Sequence, residues 1–284
     1  MFNRLFRYSS YASSWLVLIL LVGIFASLYY YASDAIHQFG FWHFVTDPTW
    51  EVGEDDEGGV FGGLIPILGT LLSTAIAMIV AVPLAMGIAL FLTEIAHEKL
   101  IAPVSVAIEL LAAIPSIIYG MWALFFLGPI LQHLFGGQSN SLLTAGLVLA
   151  IMIIPFMAAI TRDAMNTTPA VLKESAYAMG ATRFEVVKDV IFPYARRGII
   201  GSVILALGRA LGETMAVAFV IGGVFRMPES LTQPTISIPV LLANNFGEAA
   251  DLELSAMFYL ALILFAISFG TISIAKFFFL RKEA

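Results

Sequence analysis

The sequence predicts an all-α, polytopic membrane protein with six transmembrane helices. Of its 284 residues, 60% are hydrophobic and only 12% are charged, which is far from the composition of soluble domains. Six apolar segments have close to or more than the ~20 residues that a helix needs to cross a bilayer. The chain has no cysteine, which excludes disulfide and thiolate chemistry, and its net charge of −6 argues against nucleic acid as a partner.

The six predicted spans differ in length, and the longer ones contain prolines that predict kinks or re-entrant stretches. The first span follows two arginines, as in a cleaved signal peptide. Its apolar run of about 17 residues exceeds the ~7–15 of a signal sequence, so a retained span is expected. The predicted spans are residues 15–31, 64–92, 101–131, 142–160, 199–224 and 255–279.

The distribution of basic residues predicts the orientation of the chain. Twelve of the 14 lysines and arginines fall on one side of the predicted spans, and such residues collect on the cytoplasmic side. Both termini are therefore predicted to be cytoplasmic. The chain divides into a cytoplasmic segment (1–14), a first transmembrane helix (15–33), an outer loop (34–63) and a core transmembrane domain (64–284). The twelve are Arg4, Arg7, Lys99, Arg162, Lys173, Arg183, Lys188, Arg196, Arg197, Lys276, Arg281 and Lys282.

The predicted outer loop, residues 34–63, is acidic and aromatic, and it contains no lysine or arginine. It is interpreted either as an interfacial aromatic belt with a solvated acidic turn, or as a docking surface for an external solute-binding protein. The acids do not follow EF-hand spacing, so no metal site is predicted. The acids are Asp34, Asp47, Glu51, Glu54, Asp55, Asp56 and Glu57, and the aromatic residues are Phe39, Phe41, Trp42, Phe44 and Trp50.

The longest polar interruption, residues 168–193, is called the hairpin segment below. Thr168 followed by Pro169 predicts a helix N-cap and first helical residue. Gly180 predicts the end of this helix. The apolar residues predicted to share one face of it are Val171, Leu172, Ala176 and Met179.

A second short helix is predicted to follow. Thr182 and Glu185 have the spacing of a capping box, and Pro193 is predicted to end the helix. A helix–glycine–helix pair with an apolar face, set between membrane spans on the cytoplasmic side, indicates a docking element.

The hairpin segment resembles the EAA coupling motif of ABC importer permeases. That motif reads Glu-Ala-Ala, three residues, Gly, nine residues, and Ile-x-Leu-Pro. Here it stands as Glu174-Ser175-Ala176, Gly180 and Val190-Ile191-Phe192-Pro193. The resemblance implies that this segment fits a groove on an ATP-hydrolysing subunit, with Glu174, Ala176 and Gly180 as the coupling residues.

Three ionisable residues fall inside predicted spans: Glu109, Arg209 and Glu213. Each charge at a bilayer centre costs about 2.5–3.5 kcal/mol, so pairing or a wet path is expected. Glu109 and Arg209 are predicted about 12–15 Å deep, near the midplane. Glu213 follows Arg209 by four residues and is expected to pair with it. Gly208 and Gly212 predict close approach of another helix.

Two interpretations of these charges remain open. They form a neutralised ion pair that clamps helices together, or Arg209 offers a cation to an anion in transit. The planar guanidinium suits a phosphate-like oxyanion, because it donates two parallel hydrogen bonds. Glu109 and Glu213 would then hold Arg209 when no anion is bound.

Two further strings carry a more specific resemblance. Residues 107–122, AIELLAAIPSIIYGMW, and 208–217, GRALGETMAV, are similar to PstC-type permeases of the inorganic phosphate ABC importer, and the likeness runs from about residue 62 to the C-terminus. The resemblance implies the type I ABC importer permease fold in the cytoplasmic membrane. It also implies a PstA-like sister permease, two copies of a PstB-like ATP-binding subunit and a PstS-like phosphate-binding protein outside.

Several activities lack the residues they need. There is no G-x-x-x-x-G-K-[ST] loop, so ATP hydrolysis is expected in a partner, and no G-x-S-x-G elbow supports a hydrolase. No catalytic residue, cofactor or metal is predicted. The alternatives are a permease for another oxyanion or an organic solute, an ion-gradient-driven transporter with Glu109 and Glu213 as proton carriers, and a membrane scaffold.

Overall fold

The computed structural model describes residues 2–53 and 59–280, which are mainly helical. The predicted acids Glu54, Asp55, Asp56 and Glu57 and the basic residues Arg281 and Lys282 lie outside the described residues. The α-helices are α1 (Phe2–Tyr31), α2 (Ser33–Phe39), α3 (Phe41–Thr46), α4 (Leu64–Leu90), α5 (Glu98–Ala113), α6 (Ser116–Trp122), α7 (Gly128–Phe135), α8 (Leu142–Asn166), α9 (Ala170–Ala178), α10 (Arg183–Glu185), α11 (Phe192–Leu211), α12 (Met215–Ala218), α13 (Ile238–Asn245) and α14 (Asp251–Leu280).

Within residues 2–53 and 59–280, six helical segments are long and apolar enough to cross a membrane, which confirms the all-α, six-span prediction. Three of them contain or adjoin a π-helical turn, at Phe91–Ile95, Ala123–Leu127 and Val186–Ile191. The six segments are Phe6–Tyr31, Leu64–Ile95, Ser116–Phe135, Leu142–Asn166, Arg183–Leu211 and Asp251–Phe277.

The third predicted span, 101–131, is wrong as a single helix. The chain breaks at Ile114, which has an extended backbone (ψ 131), and α6 begins directly after Pro115. Proline disfavours the helical conformation of the residue before it, and it donates no backbone hydrogen bond. Helix α5 is therefore a separate helix, and the spanning segment is Ser116–Phe135.

The fifth predicted span, 199–224, is displaced. The helix begins at Arg183, passes through the π-helical turn Val186–Ile191 and continues as α11 to Leu211. Pro193 does not end it, because this proline lies in the first turn of α11, directly after an already irregular hydrogen-bond ladder. The segment after Leu211 leaves the helix at Gly212.

The chain forms two compact units, and the first comprises Met1–Leu64 and Leu241–Ile267. Within it, Phe25 of α1 lies 5.8 Å from Phe265 of α14 between ring centroids, and Tyr31 stacks on Phe258 at 4.9 Å. Most other apolar side chains of α1 are exposed in the isolated chain, as expected for a helix that faces lipid.

The predicted outer loop folds in this unit as α2, α3 and a two-stranded antiparallel hairpin. Strand β1 (Trp50–Glu51) pairs with β2 (Val60–Phe61). Phe44 is buried and stacks on Tyr259 at 4.3 Å, whereas Trp42 is exposed. Some of the loop aromatics therefore form a small core that neither predicted interpretation included. The Thr49 backbone N–H donates to Asp47 and lowers the pKa of that carboxyl.

The second unit comprises Ile65–Val240 and Ser268–Ala284, and α8 is its central helix. Helix α8 packs against α11 and α5. A buried hydrogen bond of 2.7 Å joins the hydroxyls of Thr161 and Ser202 between α8 and α11. At Gly198, an added Cβ would lie only 2.4 Å from the side chain of Ala164. Small residues thus let α8 and α11 approach closely near the hairpin segment.

Candidate functional site

Arg209 lies in the last turn of α11, where it is half-buried. Its guanidinium carbon is 5.4 Å from the ring centroid of Phe156 on α8, a cation–π distance. Tyr119 of α6 is within electrostatic reach of the same guanidinium. The Tyr119 hydroxyl donates to the carbonyl of Leu111 at 2.8 Å, so its ring is held between α6 and the end of α5.

Glu213 does not continue the helix that carries Arg209. Helix α11 ends at Leu211 with Gly212 as its C-cap, and the Glu213 carboxylate accepts the backbone N–H of Ala216 at 3.1 Å. Glu213 therefore caps the first turn of α12, and the predicted pairing across one helical turn is wrong. The four-residue spacing predicts a pair only while the helix is unbroken.

Helices α6 and α12 meet through a glycine. A Cβ added to Gly120 would lie 2.8 Å from the carbonyl oxygen of Ala216 and 3.0 Å from the Phe219 ring. Because real Cβ atoms do not approach backbone oxygen so closely, only glycine fits here without movement. This contact holds the α12 segment that Glu213 caps next to α6. Arg209, Phe156 and Tyr119 are called the Arg209 site below.

Glu109 is not part of that site. Its carboxylate pairs with the guanidinium of Arg162 at 3.3 Å, and Arg162 also binds Asp163 at 2.9 Å. Arg162 is six residues after Phe156 on α8, or about 9 Å along the helix toward the hairpin segment. The predicted pairing of Glu109 with Arg209 is therefore wrong, because the break at Pro115 separates α5 from α6. That Glu109 lies on the substrate path remains a prediction.

The guanidinium of Arg209 has no carboxylate within 4.0 Å among residues 2–53 and 59–280. Its near neighbours are an aromatic face and a tyrosine. A cation held against apolar rings without an acid partner is suited to bind an oxyanion through two parallel hydrogen bonds. Neither the predicted ion-pair clamp nor the predicted holding of Arg209 by Glu109 and Glu213 in the absence of an anion is seen in these parts of the chain.

The glycines flanking Arg209 behave differently. A Cβ at Gly208 would lie 3.2 Å from Ile272 of α14, so this position does admit another helix. At Gly212 the corresponding contact is only the carbonyl of Gly208, at 3.7 Å. The predicted small-residue pair is thus confirmed at its first position only.

Sequence reasoning missed three residues near these charges: Arg162, Phe156 and Tyr119. Arg162 was counted among the loop charges because the span was ended at residue 160, six residues before α8 ends. Phe156 carries no sequence signal that separates it from packing residues. Tyr119 falls in one of the two strings that resemble phosphate permeases, which was the one available signal for it.

The first helix of the hairpin segment, α9, begins one residue later than predicted. Its N-cap is Pro169, with an extended backbone (φ −60, ψ 135). The Thr168 hydroxyl is buried and makes no hydrogen bond within the described residues, so the predicted capping role is wrong. The proline already sets the direction of the chain into α9 and offers no N–H that needs a cap.

Gly180 ends α9, as predicted. Its φ of +89 lies in the region that L side chains rarely adopt. The N–H of Ala181 donates to the carbonyl of Ala176 at 3.1 Å, and the N–H of Gly180 donates to Tyr177 at 2.9 Å. This pair of bonds is a Schellman motif.

The predicted capping box of the second helix is also confirmed. The Thr182 side chain accepts the N–H of Glu185, and the Glu185 carboxylate accepts the N–H of Thr182 at 2.7 Å. The two short helices of the hairpin segment are thus joined by a turn with defined hydrogen bonds at both of its ends.

The hairpin segment has an inner face and an outer face. Ala176, Val187 and Ile191 are buried in an apolar cluster with Ala89 of α4 and Met165 of α8. The predicted single apolar face is wrong, because Ala176 faces inward while the others face outward. Glu174 is exposed, and so are the apolar side chains Val171, Leu172, Met179 and Phe184.

The chain is similar in sequence to a known family of transport proteins. The family model described as "Binding-protein-dependent transport system inner membrane component" matches residues 67–282. The chain is 46% identical over 302 residues to the phosphate transport system permease protein PstC of Pasteurella multocida, covering 98% of this chain and 92% of that protein. It is 36% identical over 296 residues to the probable PstC of Methanocaldococcus jannaschii, covering 98% and 93%.

Solved structures show the same fold at low sequence identity. A bacterial ABC transporter that imports the acidic polysaccharide alginate matches with a TM-score of 0.63 at 15% identity, covering 98% of this chain and 99% of that one. An inward-facing MetNI methionine ABC transporter matches with a TM-score of 0.55 at 21% identity, covering 73% and 90%. The predicted ABC importer permease fold is confirmed. The chain belongs to the family of binding-protein-dependent transport system inner membrane components.

Proposed function

We propose that this chain is the permease subunit of an ATP-driven importer that moves inorganic phosphate into the cell. The observation that carries the proposal is the Arg209 guanidinium, which lies against Phe156 without a carboxylate partner among the described residues. The names of its relatives, phosphate transport permeases at 46% identity over nearly the whole chain, support phosphate as the anion.

Arg209 is proposed to bind the phosphate in transit. Two parallel N–H···O bonds from a guanidinium match the spacing of two phosphate oxygens, and an aromatic neighbour does not compete for those donors. Glu213 is proposed to act on the same path because its carboxylate caps α12, the helix that follows Arg209 in the chain. Glu109 is proposed to lie nearer the hairpin segment, where its pair with Arg162 holds α5 against α8.

The basic residues favour an orientation with both termini and the hairpin segment in the cytoplasm, in a cytoplasmic membrane. Under this orientation α8 leads inward to the hairpin segment, and the helix that begins at Arg183 leads outward to Arg209. Arg209 is then about 26 Å from the N-terminal end of α11, because it lies seventeen residues after Phe192.

The energy is proposed to come from a separate ATPase. The exposed side of the hairpin segment, with Glu174 and the apolar side chains around it, is proposed to bind a PstB-like ATP-binding subunit. The complete complex would contain two such subunits and a PstA-like sister permease. A PstS-like phosphate-binding protein would deliver the anion, which would otherwise be repelled by the acidic residues of the outer loop. Ala176 and Gly180 are proposed to act by shaping the hairpin segment.

The test is reconstitution of the purified complex in liposomes, with radiolabelled phosphate, binding protein and internal ATP. We expect uptake that requires both ATP and the ATP-binding subunit, and that excess sulfate or molybdate does not inhibit. Uptake by this chain alone, driven by an ion gradient, would contradict an ABC importer. Full inhibition by sulfate or molybdate would be compatible with an ABC importer but would contradict phosphate as its substrate.

A further inference from the structure

A part-buried ion pair ties the hairpin segment to the end of α4. The Nζ of Lys173, on α9, is 2.5 Å from Oε1 of Glu94 in the π-helical turn Phe91–Ile95. Only 9% of the Glu94 side chain and 22% of the Lys173 side chain are exposed. Two charges that are largely removed from water are tolerated here because each neutralises the other.

Lys173 and its neighbour Glu174 face opposite ways. Glu174 is exposed on the outer side of α9, where the proposed ATPase would bind, whereas Lys173 reaches inward to Glu94. Adjacent residues of one short helix thus connect the proposed partner surface with a membrane-spanning helix. This position is one at which a movement of the hairpin segment would reach α4.

The ion pair constrains the position of the hairpin segment in a way that the apolar cluster does not. The cluster of Ala176, Ala89 and Met165 holds the hairpin segment against α4 and α8 through contacts that have no fixed direction. A short charged hydrogen bond has a defined length and direction, so it fixes where α9 sits along α4. The π-helical turn that carries Glu94 is a kind of irregularity often found at functional sites.

We propose that the Glu94–Lys173 ion pair is the positioning contact that makes α4 move together with α9 during the ATP cycle. The inference rests on the proposed importer function, and it concerns the link between helices rather than the identity of the substrate. It predicts that loss of the pair leaves the complex assembled and ATP hydrolysis active, while α4 no longer follows the hairpin segment.

The choice of variant follows from the surroundings of the pair. Arg183 and Lys188 line the same cavity as Glu94, which has a volume of about 480 Å³. In a Lys173→Met variant either of them can approach the unpaired Glu94, and in a Glu94→Gln variant Lys173 is left part-buried without its acid. The double variant Glu94→Gln/Lys173→Met leaves no unpaired charge, so it separates loss of the link from loss of folding.

The experiment follows distance and coupling in the complete complex with its ATP-binding subunits. Because the chain contains no cysteine, spin labels can be placed at Leu84→Cys on α4 and Ala178→Cys on α9, both exposed positions. With the native pair, we expect the same label distance with and without ATP. In the double variant we expect the distance to change between the two states, and transported phosphate per ATP to fall at least about fivefold.

Lys173→Arg keeps the charge and should behave as wild type, as should Lys99→Met, an exposed lysine on α5 with no side-chain ion pair among the described residues. A label distance that stays constant in the double variant would overturn the inference, because the apolar cluster would then suffice. The distance measurement does not depend on the substrate. A wild-type complex that transports sulfate instead of phosphate would therefore contradict the proposed function and leave this inference standing.

Discussion

Replacement of Gly180 tests whether the shape of the hairpin segment matters for coupling. Its φ of +89 costs an L residue about 1–2 kcal/mol. A Cβ there would meet no atom within 4 Å, so the cost comes from the backbone alone and not from a clash. A strain of this size shifts the population of the native turn by a factor of roughly 5–30.

Gly180→Val should therefore loosen the turn between α9 and α10, since a β-branched residue is a clear outlier at positive φ. The two Schellman bonds, Ala181 to Ala176 and Gly180 to Tyr177, would be weakened together. We expect ATP hydrolysis to continue while transported phosphate per ATP falls about fivefold or more. Gly180→Asn, which tolerates this conformation better, should lose much less.

The measurement is uptake of radiolabelled phosphate and release of inorganic phosphate from ATP, in the same reconstituted vesicles. Assembly is monitored by co-purification of the ATP-binding subunits. If Gly180→Val transports as much phosphate per ATP as wild type in an intact complex, the turn does not transmit movement. Equal losses in Gly180→Val and Gly180→Asn would also refute the reasoning, because strain would not be the cause.

Two further substitutions test contacts of α8. The Ser202 hydroxyl donates to the Ile199 carbonyl at 2.7 Å, so the buried Thr161 hydroxyl must donate to Ser202. Ser202→Ala should destabilise the protein by about 1–3 kcal/mol, because it leaves the buried Thr161 hydroxyl without an acceptor, whereas Thr161→Val should cost only about 0.5–1.5 kcal/mol. Thermal unfolding in detergent measures both variants. A larger loss for Thr161→Val than for Ser202→Ala would contradict this assignment of donor and acceptor. Glu109→Gln removes a pair whose acid is 61% exposed, worth about 0.2–1 kcal/mol. It should lower phosphate uptake by no more than about fivefold, and a loss as large as that of an Arg209 variant would place Glu109 at the anion instead.

The sequence predicted the parts of the fold that have local signals. Long apolar runs placed the spans, and the spacing of Thr182 and Glu185 and the position of Gly180 placed the turn of the hairpin segment. These features depend on a few neighbouring residues, whose backbone preferences are strong enough to survive in the folded chain.

The effect of each proline could not be predicted in this way. Pro83 and Pro155 lie inside continuous helices, whereas Pro115 directly follows the break at Ile114. All of them lack the N–H and disfavour a helical residue before them, so the local signal is the same. Packing of α5 on α8 and of α6 on α12 accompanies the break at Pro115, and such contacts between distant residues leave no local pattern.

The ion pairs were missed for the same reason. Glu109 and Arg162 are 53 residues apart in the chain, and Glu94 and Lys173 are 79 apart. Helical spacing predicts partners three or four positions away and has nothing to say about partners on another helix. It also failed for Arg209 and Glu213, where the spacing is right but the helix ends between them.

The central claim, that Arg209 binds the transported anion, is tested most directly by phosphate uptake of Arg209→Gln beside Arg209→Lys in the reconstituted complex. Each hydrogen bond to a charged group is worth about 1.5–3 kcal/mol, so loss of the guanidinium should lower uptake at least about tenfold. Arg209→Lys, which keeps the charge without the fork, should retain more activity than Arg209→Gln. Normal phosphate uptake by an assembled Arg209→Gln complex would contradict the claim.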